Sequence, residues 1–240
     1  MRWKQIERAL LELLYPSRAN CMGCGSPLGV DDGWLCEDCI DQLMPMRELA
    51  ERHCPKCSRP VSDDGRCLLC KDWPKDSIDG AWILYPYRRP IDMMIRRMKY
   101  GGVRAMADQL GRELALMMKM EPHGRIDAIV PVPMHDRRKK QRGFNHAELI
   151  AEAMADELDI EYRRALRRVR HTKQQAKLSR DRRDHNLIGA FSADDSIRGL
   201  RVLLIDDVLT SGSTAVHCAL SLKRAGAESV HVSTIAGVMV

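Results

Sequence analysis

Apolar positions recur along this chain with two different periods. Near the start, Trp3, Ile6, Leu10, Leu13 and Leu14 share one helical face and Pro16 ends the run, which predicts an amphipathic N-terminal helix. From Asp79 the pattern changes to alternating strand and helix signals. Residues 81–87 read as a strand, 91–98 and 103–120 as helices, and 126–132 as a buried strand. Asn145 is the expected N-cap of a helix through residue 158, a further helix starts near Ser213, and 200–205 and 229–240 read as strands. This alternation predicts an α/β fold with a mostly parallel, doubly wound sheet covered on both faces. It follows a small cysteine-rich module, so the expected division is 1–72 and 73–240.

The module is defined by its cysteines. Eight of the chain's nine form four CxxC pairs: Cys21 with Cys24, Cys36 with Cys39, Cys54 with Cys57, and Cys67 with Cys70. Each pair places two thiolates on one side of a tight turn, and two turns complete a tetrahedral four-thiolate zinc shell. Grouping in sequence order gives two structural Zn2+ sites, one from the first four cysteines and one from the last four. An interleaved grouping stays open. A closed all-cysteine shell leaves no coordination position for chemistry, so the metal folds the module and does not catalyse. Thioredoxin-like redox chemistry, the rival for CxxC, uses one pair beside a βαβ unit. His53 adjoins a ligand as a bystander, and Cys218 reads as a small core residue.

The chemistry of the second half concentrates at 202–214, VLLIDDVLTSGST. Apolar residues 202–205 bury the strand and deliver Asp206 and Asp207 at its carboxyl end, where open α/β sheets bind ligands. Next comes a turn in which Gly212 lets the backbone approach an anion while Thr210, Ser211, Ser213 and Thr214 offer hydroxyls. The helix start behind it adds free N–H groups and a positive dipole end. These parts make a cradle for a sugar phosphate. After strand 126–132, Arg137, Arg138, Lys139, Lys140 and Arg142 crowd one loop at the same end of the sheet, where an anionic leaving group needs cations. A third basic stretch spans 163–183, and its middle, 170–179, reads as a mobile loop that closes over phosphate or meets a nucleic-acid backbone. Aromatic residues are missing there, which argues against base stacking.

Composition narrows this further. Lys plus Arg exceed Asp plus Glu, 39 to 33, for a net charge of +6 in 240 residues, which favours anionic partners. No GxxxxGK[ST] occurs and no GxGxxG follows a strand, which excludes P-loop triphosphate hydrolysis and a dinucleotide cofactor. The N-terminus carries Glu7 and Glu12 within its apolar stretch and lacks a cleavage site, so it is a poor signal peptide. No run approaches the about eighteen apolar residues that span a bilayer. A cytoplasmic protein without membrane insertion is expected.

Residues 202–214 resemble the signature with which type I phosphoribosyltransferases bind 5-phosphoribosyl 1-pyrophosphate (PRPP). With the CxxC front, PVPMHDRRKKQRGFNHAELIA at 131–151 and TKQQAKLSRDRRDHNLIGAF at 172–191, nearly the whole chain resembles the ComF family of amidophosphoribosyltransferase-type proteins. The resemblance implies a type I phosphoribosyltransferase fold behind a double zinc ribbon. It also implies PRPP as ligand, Mg2+ as its companion, pentosyltransferase activity and a role in competence and DNA uptake or utilisation. Asp206 and Asp207 would hold the ribose, 210–214 the 5-phosphate and the 137–142 cations the pyrophosphate. Thr210 stands where 6-oxopurine salvage enzymes carry an Asp general base, and Thr cannot accept a base proton at neutral pH, so purine salvage is not expected. The alternatives are a PRPP sensor with weak catalysis, a single-stranded-DNA-binding protein, or an adaptor for DNA-uptake or recombination proteins.

Overall fold

A computed structural model describes residues 20–29, 33–61, 65, 67–101, 103–120, 124–135, 139–140, 142–170 and 187–239. The N-terminal helix, the loop expected around 171–179, Arg137 and Arg138 lie outside the described residues. Strands are β1 (Gly80–Pro86), β2 (Ala128–Pro131), β3 (Glu161–Tyr162), β4 (Leu166–Arg168), β5 (Phe191–Ala193), β6 (Arg201–Leu209) and β7 (Ser229–Gly237). The α-helices are α1 (Glu37–Asp41), α2 (Ile91–Tyr100), α3 (Arg104–Met120), α4 (His146–Leu158) and α5 (Ser213–Arg224).

Five strands form one parallel sheet in the order β1-β7-β6-β2-β3. Its central strands are apolar on both sides because both faces are covered. In β6, Val202 and Leu204 enter one core with Ala215, Cys218 and Leu222 of α5. Leu203 and Ile205 enter the other, with Ile95 and Met98 of α2, Leu110 and Leu114 of α3, and Ile150 of α4. Helices α3 and α4 pack closely at Gly111, where a Cβ would lie 2.8 Å from the Ile150 carbonyl oxygen.

Both ribbons belong to these cores. Cys21, Met22, Leu35 and Cys39 pack with α2 and α3, while Cys54, Cys57, Cys70 and Trp73 pack on the α5 face. One expectation needs correction. Strand β6 does not stop at Ile205 but runs to Leu209, with Asp206 opposite Thr234 and Leu209 opposite Gly237 in β7, because β7 is long enough to pair it throughout. The basic stretch from 163 is partly sheet. Segment 166–168 pairs antiparallel with 191–193, and its neighbours carry local partners: Arg163 pairs with Glu161 at 2.7 Å and Arg164 with Glu152 at 3.3 Å. Strands of two or three residues are too short to show periodicity in sequence.

Candidate active site

The carboxyl ends of β2 and β6 lie side by side, since Pro131 pairs with Ile205 and the Val132 N–H donates to the Ile205 carbonyl at 2.9 Å. This parallel register brings the loop after β2 to the end of the sheet that carries Asp206, Asp207 and the 210–214 turn. Asp206 accepts the Asp207 N–H at 2.8 Å. Burial, and after it the charge of Asp207, push the Asp206 carboxyl up to about 7. Asp207 makes a 2.8 Å ion pair with Lys99 from the last turn of α2.

Beyond Leu209 the chain turns into α5 through Gly212, whose φ of +83° is the left-handed conformation that glycine adopts without strain. The Ser211 and Ser213 hydroxyls lie 2.9 Å apart. The Ser211 hydroxyl also accepts the Ser213 N–H at 3.4 Å. Among the described residues, the N–H groups of Thr210, Ser211, Gly212 and Thr214 have no acceptor. Four unengaged donors and four hydroxyls around one turn at a helix start can cradle an anion.

The basic loop is less uniform than its composition. Lys139 is bound to Glu148, with 3.0 and 3.1 Å contacts to the two carboxylate oxygens. Arg142 lies over the ring of Tyr100, 5.0 Å from its centroid, and donates to its hydroxyl at 3.2 Å. Lys140 is exposed. Buried His146 reports where these charges converge. Burial lowers its pKa, and Asp207, Arg142 and Lys99 all act on it electrostatically. Asn145 caps α4 by accepting the Ala147 N–H at 3.2 Å, while its amide donates to the Val132 carbonyl at 3.0 Å.

Lys99 and His146 carried no sequence signal as site residues, because each is defined by partners on other elements. Arg59 and Trp73 were missed for the same reason. Arg59 reaches the 210–214 turn from the second ribbon and Trp73 from just beyond it.

The cysteines assemble into the two sequential groups, Cys21, Cys24, Cys36 and Cys39, then Cys54, Cys57, Cys67 and Cys70, with each group's sulfurs all within 4.8 Å of one another. Sulfur separations of 3.6 Å (Cys24 to Cys36), 3.5 Å (Cys54 to Cys70) and 3.4 Å (Cys57 to Cys67) approach the about 3.8 Å edge of a zinc-thiolate tetrahedron. The residues therefore fit two structural zinc ions. His53 bonds the Met46 carbonyl at 3.0 Å and belongs to neither group, and Cys218 is fully buried in the α5 core. No helix among the described residues is long and apolar enough to cross a membrane.

Comparison with known proteins adds the family. Residues 10–72 match the double zinc ribbon domain and residues 145–239 the phosphoribosyl transferase domain. The chain is 31% identical over 221 residues to the DNA utilization protein YhgH of Salmonella typhimurium, covering 88% of this chain and 94% of that one. It is 29% identical over 226 residues to Competence protein F of Haemophilus influenzae, covering 89% and 94%. A glutamine PRPP amidotransferase structure from B. subtilis, complexed with ADP and GMP, aligns at 25% identity and a TM-score of 0.40 over 55% of this chain and 26% of that one. With zinc ribbons and a phosphoribosyltransferase-type sheet in that order, and relatives matched almost from end to end, the chain belongs to the ComF family.

Proposed function

We propose that this protein binds PRPP with Mg2+ and acts as a phosphoribosyltransferase in competence or DNA utilisation, the roles that its relatives are named for. One observation carries the reading: a turn with unengaged N–H groups and hydroxyls at 210–214 begins two residues beyond a pair of carboxylates near the end of a central strand. In this reading, residues 1–72 are the zinc-stapled module and 73–240 the PRPP-binding domain.

The turn grips the 5-phosphate, and Asp206 and Asp207 take the ribose hydroxyls. Their hard oxygen donors also fit magnesium, which is commonly held through one or two carboxylates plus substrate phosphates. Magnesium supplies charge neutralisation on the pyrophosphate. Breaking the C1–O bond builds positive charge on the ribose and negative charge on the leaving group, so fixed carboxylates and nearby cations stabilise the two poles. Lys99, Lys140 and Arg142 are the described cations for the second task, joined by Arg137 and Arg138. Lys139 serves there only by leaving Glu148. Lys99 neutralises Asp207 in the free protein and turns to the pyrophosphate when ligand arrives.

Thr210 at the general-base position favours a second reading, a sensor that binds PRPP with little turnover. Calorimetric titration with PRPP, with and without magnesium, and an assay of pyrophosphate release test both. Micromolar affinity, about 8 kcal/mol of binding energy, is expected for the wild type. The double variant Asp206→Asn, Asp207→Asn is expected to lose it. Equal binding by that variant overturns the assignment, and binding without pyrophosphate release across amine and base acceptors selects the sensor.

A further inference from the structure

Arg59 lies two residues beyond the ligand Cys57, yet only 1% of it is exposed. Its Nη2 donates to the carbonyls of Leu209 and Thr210, at 2.7 Å for the latter. Trp73, three residues beyond Cys70, donates its indole N–H to the Ser211 carbonyl at 3.0 Å. Three successive carbonyls leading into the 210–214 turn are thus held by Arg59 of the second ribbon and by Trp73 just beyond it. In a trans peptide the C=O and the following N–H point in opposite directions. Holding the 209, 210 and 211 carbonyls toward the ribbon therefore turns the N–H groups of Thr210, Ser211 and Gly212 to the far side, where they have no acceptor among the described residues. The Trp73 ring also backs the turn itself. A Cβ at position 212 would come within 2.1 Å of its Cζ2. The other guanidinium nitrogens, Nε and Nη1, are buried, and the guanidinium lies against the Cys57 sulfur and in the field of Cys67 and Cys70. A zinc ion with four thiolates carries net negative charge, so a zinc held by Cys54, Cys57, Cys67 and Cys70 would balance the buried cation whose tip serves the turn.

We propose that Arg59 and Trp73 are positioning residues for the phosphate turn, and that the second zinc ribbon orients the peptide planes of 209–212 for an anion. The proposal rests on reading 210–214 as the 5-phosphate site. It makes the second ribbon part of the binding machinery: losing its metal loosens the turn. Among the described residues, the first ribbon meets α2, where Arg97 donates to the Cys21 carbonyl at 2.6 Å.

The test uses the full chain with zinc quantified, in wild type, Arg59→Met, Arg59→Lys and Trp73→Phe. Two quantities are measured: backbone 15N order parameters of 209–214 in the free protein, and affinity for ribose 5-phosphate, which probes the phosphate turn without pyrophosphate. In Arg59→Met, order parameters are expected to fall from about 0.85 to below about 0.6 at the turn and to stay unchanged in β2 and α4. Ribose 5-phosphate should bind about tenfold more weakly, with partial recovery in Arg59→Lys, which keeps a charged donor. Trp73→Phe keeps an aromatic ring on Gly212 and removes the N–H. It is expected to lie between wild type and Arg59→Met, and it decides the matter if Arg59→Met loses zinc. Unchanged order parameters together with affinities within about twofold of wild type overturn the proposal. If wild type binds neither ribose 5-phosphate nor PRPP, the functional reading falls, while the order parameters still decide whether the ribbon positions the turn.

Discussion

Asp206 and Asp207 are neighbours in sequence but not in direction, because consecutive strand residues point to opposite faces of a sheet. Asp207 meets Lys99 from α2, whereas Asp206 lies toward α5, where its charge acts on the buried thiol of Cys218. This geometry separates their behaviour with pH. Asp206 is pushed from an ordinary 3.8 up to about 7, so between those values the folded chain holds a proton that the unfolded chain has released. Stability therefore falls as pH rises from about 4 to about 7 and levels off above. Carboxylates held low act in the other sense and at lower pH. Asp127, bound by Arg201 through 2.8 and 3.0 Å contacts, is well below the usual carboxylate range, and its contribution is lost only as acid protonates it. Scanning calorimetry between about pH 5 and about pH 8 should show the melting temperature falling in wild type and a flatter profile in Asp206→Asn. Parallel profiles for the two proteins would assign the slope to another group.

At the scale of elements, the segment from Arg142 to His146 joins three chain ends. Asn145 ties the start of α4 to the end of β2, and His146 Nε2 lies 2.9 Å from the Met98 carbonyl at the end of α2. Fixing the end of α2 in turn delivers Lys99 to Asp207. Asn145→Ala removes both a helix cap and a buried donor to the Val132 carbonyl, so a loss of about 2 kcal/mol is expected in urea unfolding. Asn145→Asp keeps the cap and loses the donor, and should fall between. A loss of less than about 0.5 kcal/mol in Asn145→Ala would show that the junction is held by packing alone. The Asn145 cap was legible in sequence because capping is local: a polar residue just before a helical apolar pattern. So were the CxxC turns and the 202–214 motif, whose parts are contiguous. Lys99 looked like one more charge at a helix end, and Arg59, whose Leu209 partner is 150 residues away, looked like solvated charge on a ribbon. Periodicity reports which side of an element is buried, not what is buried against it.

Across the whole molecule, the two ribbons sit on opposite faces of one sheet and complete both hydrophobic cores. Buried cysteines, Met22, Leu35 and Trp73 leave little for either ribbon to bury without the sheet, and removing the ribbons exposes the apolar faces beneath them. A zinc shell closed by four thiolates is rarely preformed in an unfolded chain, so zinc binding free energy becomes folding free energy. Because the cores are shared, that linkage should extend to the sheet. The melting temperature of the full chain is expected to rise with the logarithm of free zinc, and removal of both metals by a chelator should lower a single cooperative transition. Circular dichroism at 222 nm during zinc-buffered melts, a wavelength at which α2 to α5 supply most of the helical signal of the described residues, separates this from the alternative. If the ribbons were independent appendages, chelation would leave the melting of α2 to α5 where it was, and the proposed coupling between the metal sites and the 210–214 turn would have no path through the fold.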